Sequence, residues 1–353
     1  MLSRLSALPR AAWSRLFLDR QAAFWLAELS PTWAPGERRA RVVDVLDETA
    51  DTKTFVLAPG RRWPGHRAGQ FVPVEVEIAG VRVRRCYSIS SGASAPGAAT
   101  IAITVRCVPG GRVSPWLHAN LRRGSVVGLG DPAGDFVAAA TPGPLLLVGG
   151  GSGITPILAI VRDLAARDAL GDVVVVHAAR SADDAIGAAV FAALEPSHLG
   201  LRVVAHRDAM EGTLDAAALL AHVPDLAART AYACGPAGLV ELVAAAGPAA
   251  LHVERFVAAP PPRLRDPAAP VAIRLARSGR EVTAAGRGSL LEQLERAGEA
   301  PKYGCRLGVC QSCRCRKVSG IVEDAVTGAR SDAPDEDIRL CVSIARSNLE
   351  LAL

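Results

Sequence analysis

A group of closely spaced cysteines is the feature of this sequence that most constrains its fold. Four of the eight cysteines lie within residues 305–315, in the stretch YGCRLGVCQSCRCRKVSG. Such a group can form disulfides, bind zinc or hold a cluster that carries electrons. The N-terminus MLSRLSALPRAAWSRLFLDR has neither the uninterrupted apolar segment nor the cleavage site of a secretory signal, and no charge-free apolar run is long enough to span a membrane. We therefore expect a cytoplasmic protein, in which disulfides are rare.

The spacing of the cysteines favours an iron–sulfur cluster over zinc. Cys305, Cys310 and Cys313 follow the pattern C-x4-C-x2-C, and Cys341 stands alone further along the chain. Zinc sites usually use two C-x2-C pairs, whereas this pattern is typical of plant-type [2Fe–2S] proteins. Small residues between the cysteines allow backbone N–H groups to approach the cluster sulfurs. We predict these four cysteines as ligands and expect Cys315, outside the pattern, to be a buried inert thiol.

Pattern changes along the chain divide it into several units, as expected for 353 residues. Residues 37–139 contain short β-branched segments separated by Gly and Pro, which predicts an antiparallel β-barrel. Residues 140–257 alternate strand and helix patterns, which predicts a parallel sheet with helices on both faces. The Pro-rich residues 258–270 indicate a linker, and residues 271–353 form a further unit that carries the cysteines. The net charge of +5 is small and scattered, so nucleic-acid binding has little support.

The N-terminal residues 1–36 predict a helical extension in which apolar and charged residues are interleaved. Three of the five tryptophans lie before residue 34. The helix either packs on the body of the protein or uses residues 1–35 to contact a membrane or a membrane-bound partner. Both alternatives remain open from the sequence.

A glycine loop follows the first apolar segment of the α/β pattern. LLLVGGGSGITP, residues 145–156, has the order strand, loop and helix. We predict Thr155 as the N-cap of the helix and Pro156 as its first residue. The N–H groups of such a loop and of the helix N-terminus can bind a pyrophosphate. Taken alone, the loop would also fit a simple tight turn.

Three further motifs accompany the glycine loop in a fixed order. RCYSISS (85–91) and GGRVSPWL (110–117) precede it, and YACGP (232–236) follows it. With the C-terminal cysteines, this order closely resembles the ferredoxin–NADP reductase superfamily, in the form that carries a C-terminal plant-type [2Fe–2S] ferredoxin domain. The resemblance implies a multidomain protein with an antiparallel β-barrel that binds FAD, a parallel α/β domain that binds the nicotinamide nucleotide and a β-grasp ferredoxin domain.

The resemblance also implies particular contacts to FAD. Arg85 is expected to pair with a flavin phosphate, which suits its guanidinium fork. Tyr87 is expected to pack on the isoalloxazine ring, and Ser88 to form a hydrogen bond near flavin N5. Phe256 either covers the other flavin face or packs in the core. The G-x-x-S segment, expected to bind the FAD pyrophosphate and thus to favour FAD over FMN, comprises Gly111, Arg112, Val113 and Ser114.

The nicotinamide site follows from the same resemblance. Cys234 is expected beside the nicotinamide, and with Tyr87 and Ser88 it forms the predicted catalytic group. Arg180 and Ser181, after the second strand of the α/β pattern, favour NADPH, since an arginine there suits the 2′-phosphate; NADH stays open because acidic residues follow. The residues of the glycine loop and the CGP motif expected to bind the nucleotide are Gly150, Gly151, Gly153, Ile154, Thr155, Pro156, Cys234, Gly235 and Pro236.

The three units together imply one electron-transfer enzyme. A nicotinamide delivers two electrons as a hydride and a [2Fe–2S] cluster accepts one at a time, so a flavin is needed between them. We expect an NAD(P)H-dependent reductase that passes electrons from NADPH via FAD and the cluster to a separate oxygenase, hydroxylase or membrane fatty acyl desaturase. It would be cytoplasmic, or peripheral at the inner membrane face. The alternatives are the reductase of a soluble hydroxylase, Rieske oxygenase or cytochrome P450, and a non-enzymatic redox sensor.

Overall fold

The computed structural model of the chain describes residues 38–139, 143–256, 270–284, 288–304, 306, 308 and 313–353. The expected N-terminal helix and residues 258–269 of the expected linker lie outside these ranges, as do Cys305 and Cys310. Within the described ranges, no helix has the length and apolar character needed to span a membrane.

An antiparallel six-stranded sheet forms the first part of the described chain. Its strand order is β4-β3-β6-β1-β2-β5, and an isolated bridge between Ile89 and Ile103 joins its two edges. The bridge closes the sheet into the expected barrel. Phe55, Trp63 and Leu117 are among the side chains buried in its core. The elements are β1 (Arg38–Thr49), β2 (Thr52–Ala58), β3 (Phe71–Ile78), β4 (Val81–Ser88), β5 (Ile101–Arg106), α1 (Ser114–Asn120) and β6 (Val126–Leu129).

A parallel five-stranded sheet follows, in the order β11-β10-β7-β8-β9. Helices cover both faces, and β8 is accordingly buried along its whole length, with apolar residues at every position except His177. The chain order reverses at β7, so a crevice opens at the carboxyl end of this strand. The elements are β7 (Leu145–Gly150), α2 (Ile154–Ala166), β8 (Val173–Ala179), α3 (Ala188–Leu194), β9 (Leu201–Arg207), α4 (Asp208–Glu211), α5 (Ala216–His222), β10 (Thr230–Cys234), α6 (Ala237–Ala245) and β11 (Ala250–Glu254).

The helix after the glycine loop begins earlier than the sequence predicts. Gly151–Gly153 forms a 3₁₀ turn that runs directly into α2, whose N-cap is Gly153. Thr155 is therefore the second helical residue, and its hydroxyl donates a hydrogen bond to the Ser152 carbonyl at 2.9 Å. The prediction of Thr155 as N-cap and Pro156 as first residue was wrong, because Gly153 already has helical backbone angles.

The C-terminal part contains a mixed five-stranded sheet, in the order β13-β12-β19-β14-β17, and a three-stranded sheet, β16-β15-β18. Helix α7 begins with a capping box between Ser289 and Glu292 and buries its leucines against the larger sheet. This is the expected β-grasp arrangement. The elements are β12 (Val271–Leu275), β13 (Glu281–Ala284), α7 (Leu290–Arg296), β14 (Arg314–Ser319), β15 (Val322–Asp324), β16 (Arg330–Ser331), β17 (Glu336–Arg339), β18 (Ser343–Ala345) and β19 (Leu349–Leu351).

Candidate functional site

A cavity of about 400 Å³ lies where the barrel meets the glycine loop. Ser152 and Thr155 of that loop form part of its wall. The end of β4, the turn before α1 and the glycine loop therefore converge on one space, although they are far apart in sequence. Every residue that the sequence predicts for FAD lines this cavity, namely Arg85, Tyr87, Ser88, Gly111, Arg112, Val113, Ser114 and Phe256.

Tyr87 gives this cavity a neutral aromatic wall. Burial raises the pKa of its phenol far above the usual value, although the neighbouring Arg85 opposes the shift. The phenol therefore stays protonated across the physiological pH range. An uncharged aromatic ring is suited to packing against another flat ring system.

Ser88 of the cavity wall lies near Glu254, which in turn lies opposite Cys234, and we call these three residues the junction group. The parallel register of β10 and β11 places Cys234 opposite Glu254. The Ser88 hydroxyl and Oε2 of Glu254 are buried and have no hydrogen-bond partner of acceptable geometry among the described residues. Since buried polar atoms are nearly always paired, these two are candidates for pairing with a bound ligand.

Burial also changes the protonation of the junction group. It raises the pKa of Glu254 to about 7, and the nearby Ser88 hydroxyl opposes this rise. The thiol of Cys234 has a raised pKa because it is buried, and the Glu254 charge adds to the effect. Cys234 is therefore a neutral thiol at neutral pH, while Glu254 changes its protonation state there. Perturbed titration of this kind is common at functional sites.

Glu254 is a candidate functional residue that the sequence analysis missed. The available signal was an acidic residue two positions before Phe256 in the segment HVERF. Its proximity to Cys234 depends on the pairing of β10 with β11, which the local sequence does not reveal.

The glycine loop packs directly against the CGP motif. A Cβ on Gly153 would lie 2.2 Å from the carbonyl oxygen of Cys234, so only glycine fits at this position. Gly151 has a φ of +53°, a left-handed conformation that favours glycine. The two motifs predicted for the nicotinamide nucleotide therefore share the crevice at the carboxyl end of β7.

The residues predicted to distinguish NADPH from NADH lie at the same edge of the sheet. Nη2 of Arg180 is 2.6 Å from Oδ1 of Asp184, and the Ser181 hydroxyl donates to Oδ2 of that carboxylate at 2.9 Å. Asp184 therefore offsets the charge of Arg180. A second guanidinium, Arg207 at the end of β9, donates to the carbonyl of His177 at 2.8 Å. The sequence analysis did not identify Arg207.

The described part of the predicted cluster site brings two cysteines together. The Sγ atoms of Cys313 and Cys341 are 3.2 Å apart, well beyond the ~2.05 Å of a disulfide. The backbone N–H of Gly308 donates to Sγ of Cys341 at 3.2 Å, as expected for a loop that wraps closely around a cluster. Cys315 is buried in the domain core, and burial raises the pKa of its thiol to about 11. This agrees with its interpretation as an inert thiol.

The barrel contacts the cysteine loop directly. Nη1 of Arg85 donates to the carbonyl of Gly304, the residue before Cys305, at 3.0 Å. A second cavity, of about 700 Å³, is lined by Ser88, Glu254 and Phe256 on one side and by Gly308 and Arg339 on the other. The predicted flavin, nicotinamide and cluster sites are therefore neighbours.

Known proteins share this organisation. The family models for the oxidoreductase FAD-binding domain, the oxidoreductase NAD-binding domain and the 2Fe-2S iron-sulfur cluster binding domain match residues 39–137, 147–245 and 273–346. The "NADPH oxidoreductase" of Mycobacterium tuberculosis is 34% identical over 330 residues, which cover 91% of this chain and 86% of the relative.

Two further similar proteins are reductases. The "glycine betaine monooxygenase reductase subunit" of Pseudomonas aeruginosa is 30% identical over 352 residues, covering 90% of this chain and 96% of the relative. The solved structure of phthalate dioxygenase reductase, described as a modular structure for electron transfer from pyridine nucleotides to [2Fe–2S], aligns with a TM-score of 0.59 and 26% identity and covers 90% of this chain and 98% of that one.

The predicted fold class and the predicted cofactors FAD, NAD(P)H and [2Fe–2S] are confirmed by the three domain matches and their order. The described residues fit these groups, because the unpaired Ser88 hydroxyl faces the flavin cavity and the thiols of Cys313 and Cys341 converge. The chain belongs to the ferredoxin–NADP reductase superfamily and is an NAD(P)H-dependent flavoprotein oxidoreductase with a C-terminal [2Fe–2S] domain.

Proposed function

We propose that this reductase carries electrons from NADPH through FAD and the [2Fe–2S] cluster to a separate oxygenase. The observation that carries the proposal is the contact of Arg85 with both halves of the route: it lines the flavin cavity and donates to Gly304 beside the cysteine loop. When bound, FAD supplies a centre that takes up two electrons as a hydride and releases them singly. The protein residues bind the cofactors, align them and exclude water from them.

In this proposal the flavin residues have distinct roles. Arg85 and Arg112 bind the phosphates, and Tyr87 packs its neutral ring against the isoalloxazine. The Ser88 hydroxyl donates its unused hydrogen bond to the flavin near N5. Phe256 lies on the wall of both cavities and covers the flavin face that the nicotinamide must reach.

A third cavity, of about 510 Å³, supports FAD rather than FMN. It is lined by Glu75 and by five cationic residues, Arg82, Arg84, Arg85, Arg112 and Lys302. Its lining is predominantly cationic, which suits the diphosphate that FMN lacks. Lys302 and Tyr303 come from the C-terminal domain, which would thereby contribute to holding FAD.

The nicotinamide nucleotide is proposed to bind in the crevice at β7. The backbone N–H groups of the glycine loop and of the α2 N-terminus (Gly150 to Pro156) hold the pyrophosphate, and Cys234, Gly235 and Pro236 contact the nicotinamide ribose and ring. The neutral thiol of Cys234 offers the nicotinamide an uncharged contact. Glu254 holds or releases a proton close to Ser88.

We propose NADPH as the preferred donor. Arg180, Ser181 and Arg207 are candidates for binding its 2′-phosphate, although Asp184 must give up part of its pairing with Arg180. The similar mycobacterial protein carries NADPH in its name, which supports this choice. The cluster ligands proposed are Cys305, Cys310, Cys313 and Cys341.

The acceptor proposed is an oxygenase, because similar proteins are named as reductases of a monooxygenase and a dioxygenase. A membrane fatty acyl desaturase is the finer proposal, supported by the amphipathic, Trp-rich residues 1–36. The protein would then lie in the cytoplasm, peripheral to the inner membrane face.

Steady-state reduction of two artificial acceptors tests the route. Ferricyanide accepts electrons from the flavin, and cytochrome c accepts them from the cluster. We expect Cys341→Ser to abolish NADPH-dependent cytochrome c reduction while ferricyanide reduction stays near wild type, and NADPH to give a higher kcat/KM than NADH. Cytochrome c reduction that survives the substitution would contradict a route through the cluster.

A further inference from the structure

A cluster of two histidines and one glutamate lies outside the electron route. His206 is the penultimate residue of β9, Glu211 ends α4 and His222 ends α5. One possible ligand atom from each side chain lies within 4.8 Å of the corresponding atoms of the other two. The cluster is at the carboxyl end of the outermost strand of the parallel sheet, whereas the nucleotide crevice is at β7.

His206 is oriented as a metal ligand would be. Its side chain is 2% exposed, and Nε2 is 2.8 Å from the carbonyl oxygen of Gly212. A carbonyl can only accept, so Nε2 carries a proton, which leaves Nδ1 as the ring nitrogen that can coordinate a metal ion. Nδ1 is buried and has no hydrogen-bond partner of acceptable geometry among the described residues. A carbonyl that holds the second ring nitrogen is the usual support of a metal-bound histidine.

Glu211 is held in place in a similar way. Its Oε1 accepts a hydrogen bond from the backbone N–H of Arg207 at 2.8 Å. Its Oε2 is 3.6 Å from Nδ1 of His206. Neighbouring ligand atoms of a tetrahedral zinc ion are about 3.3 Å apart, so this pair already has nearly the required separation. His222 is partly exposed at the end of its helix and can complete the set by a small side-chain movement.

We propose that His206, Glu211 and His222 form a binding site for a divalent transition metal ion of the zinc class. Two imidazoles and one carboxylate are ligands that zinc prefers, whereas magnesium and calcium prefer an all-oxygen set. The three ligands leave one position open to water. A bound ion would join the end of β9 to the end of α5 and stabilise the folded state, because the unfolded chain does not hold the three ligands together.

The test uses the full-length protein loaded with FAD and the cluster, so that iron already occupies the cysteines. Wild type, Glu211→Gln and His222→Ala are dialysed against buffered Zn²⁺, and zinc per chain is measured by mass spectrometry. His198→Ala is the matched control, since His198 lies in the same domain and its Nδ1 already pairs with the Leu194 carbonyl. Flavin and cluster absorbance verify that each variant is folded and loaded.

We expect one Zn²⁺ per chain in wild type and His198→Ala, with affinity reduced at least about tenfold in Glu211→Gln and His222→Ala. Zinc should also raise the thermal midpoint of wild type by more than that of His222→Ala. Equal zinc binding by wild type and His222→Ala would overturn the proposal, as would the absence of binding to wild type. Equal binding of Mg²⁺ or Ca²⁺ would overturn the assignment to the zinc class.

Discussion

Two buried polar regions of this reductase differ in how their polar atoms are paired. In the C-terminal domain, Lys317 is fully buried, and its Nζ donates to the carbonyls of Gly320 and Ser331 at 3.0 Å and lies 3.2 Å from the Glu336 carboxylate. In the junction group, the Ser88 hydroxyl and the Glu254 carboxylate lie close together, but among the described residues the hydroxyl and one carboxylate oxygen have no hydrogen bond of good geometry.

The difference indicates which region is structural and which is functional. A buried polar atom without a partner costs about 1–3 kcal/mol, so the junction group carries a cost that a bound flavin or nicotinamide would relieve. Lys317 carries no comparable cost, because its charge and donors are satisfied within the domain. Substitutions should therefore reduce stability around Lys317 and alter chemistry at the junction group.

The largest expected effect concerns two cysteines of the C-terminal domain. Cys313→Ser removes a predicted ligand, and we expect the visible absorbance of the cluster to be lost completely. Cys315 lies in the same buried interior as Lys317, and Cys315→Ala should keep a full cluster. Iron and sulfide content per chain measures the amount of cluster in both variants. Loss of the cluster from a folded Cys315→Ala protein would contradict the ligand assignment.

The next largest effect is on stability. Lys317→Met keeps most of the side-chain volume but removes the donor to two carbonyls and the cation beside Glu336, which keeps its hydrogen bond from the Ser331 hydroxyl. We expect the free energy of unfolding to fall by about 3 kcal/mol. The measurement is the urea midpoint for loss of cluster absorbance. Arg274→Met is the control, because Arg274 is exposed, and its midpoint should not change. Reduction of the flavin by NADPH should be unchanged in both variants.

Ser88→Ala should slow the reaction and leave stability unchanged, which is the reverse of the effect expected for Lys317→Met. We expect anaerobic reduction of FAD by NADPH to slow roughly 10- to 100-fold, since the proposed hydrogen bond to the flavin is removed, while stability stays near wild type. Ser90→Ala is the matched control. Ser90 is fully buried and its hydroxyl already accepts from Thr104 at 2.8 Å, so its removal should lower stability and leave the rate unchanged. Equal rates in both variants would contradict the comparison.

The smallest expected effect is the pH dependence that Glu254 gives to the free energy of unfolding. Its pKa is raised to about 7 in the folded protein from an ordinary value of 4.5. Between these values the folded state holds a proton that the unfolded state has released, so this contribution favours folding below about pH 4.5 and is lost as the pH rises to about 7. We expect roughly 1–2 kcal/mol over this range, less than the full shift because the residue is half-buried. Glu254→Gln should flatten the pH dependence of the thermal midpoint.

The sequence predicts those parts of the site that local motifs encode. Arg85, Ser88 and Ser114 were identified from short segments and line one cavity, because the motifs fix backbone shape as well as residue type. Glu254 and Lys317 were missed, since their burial and partners depend on strand pairing across the fold.

The start of α2 shows the same limit on a smaller scale. The residue types Thr155 and Pro156 favour a helix start, but Gly153, which packs tightly against Cys234, already has helical backbone angles. This contact with a distant segment is not visible in the local sequence.

The most direct test of the electron route is an anaerobic titration of the full-length protein with NADPH, followed by absorbance and by electron paramagnetic resonance at low temperature. We predict that substoichiometric NADPH bleaches both the flavin bands and the broad cluster absorbance, and that the signal of a reduced [2Fe–2S] cluster appears. Bleaching of the flavin while the cluster stays oxidised, or a colourless protein that contains zinc at the cysteines, would contradict the account.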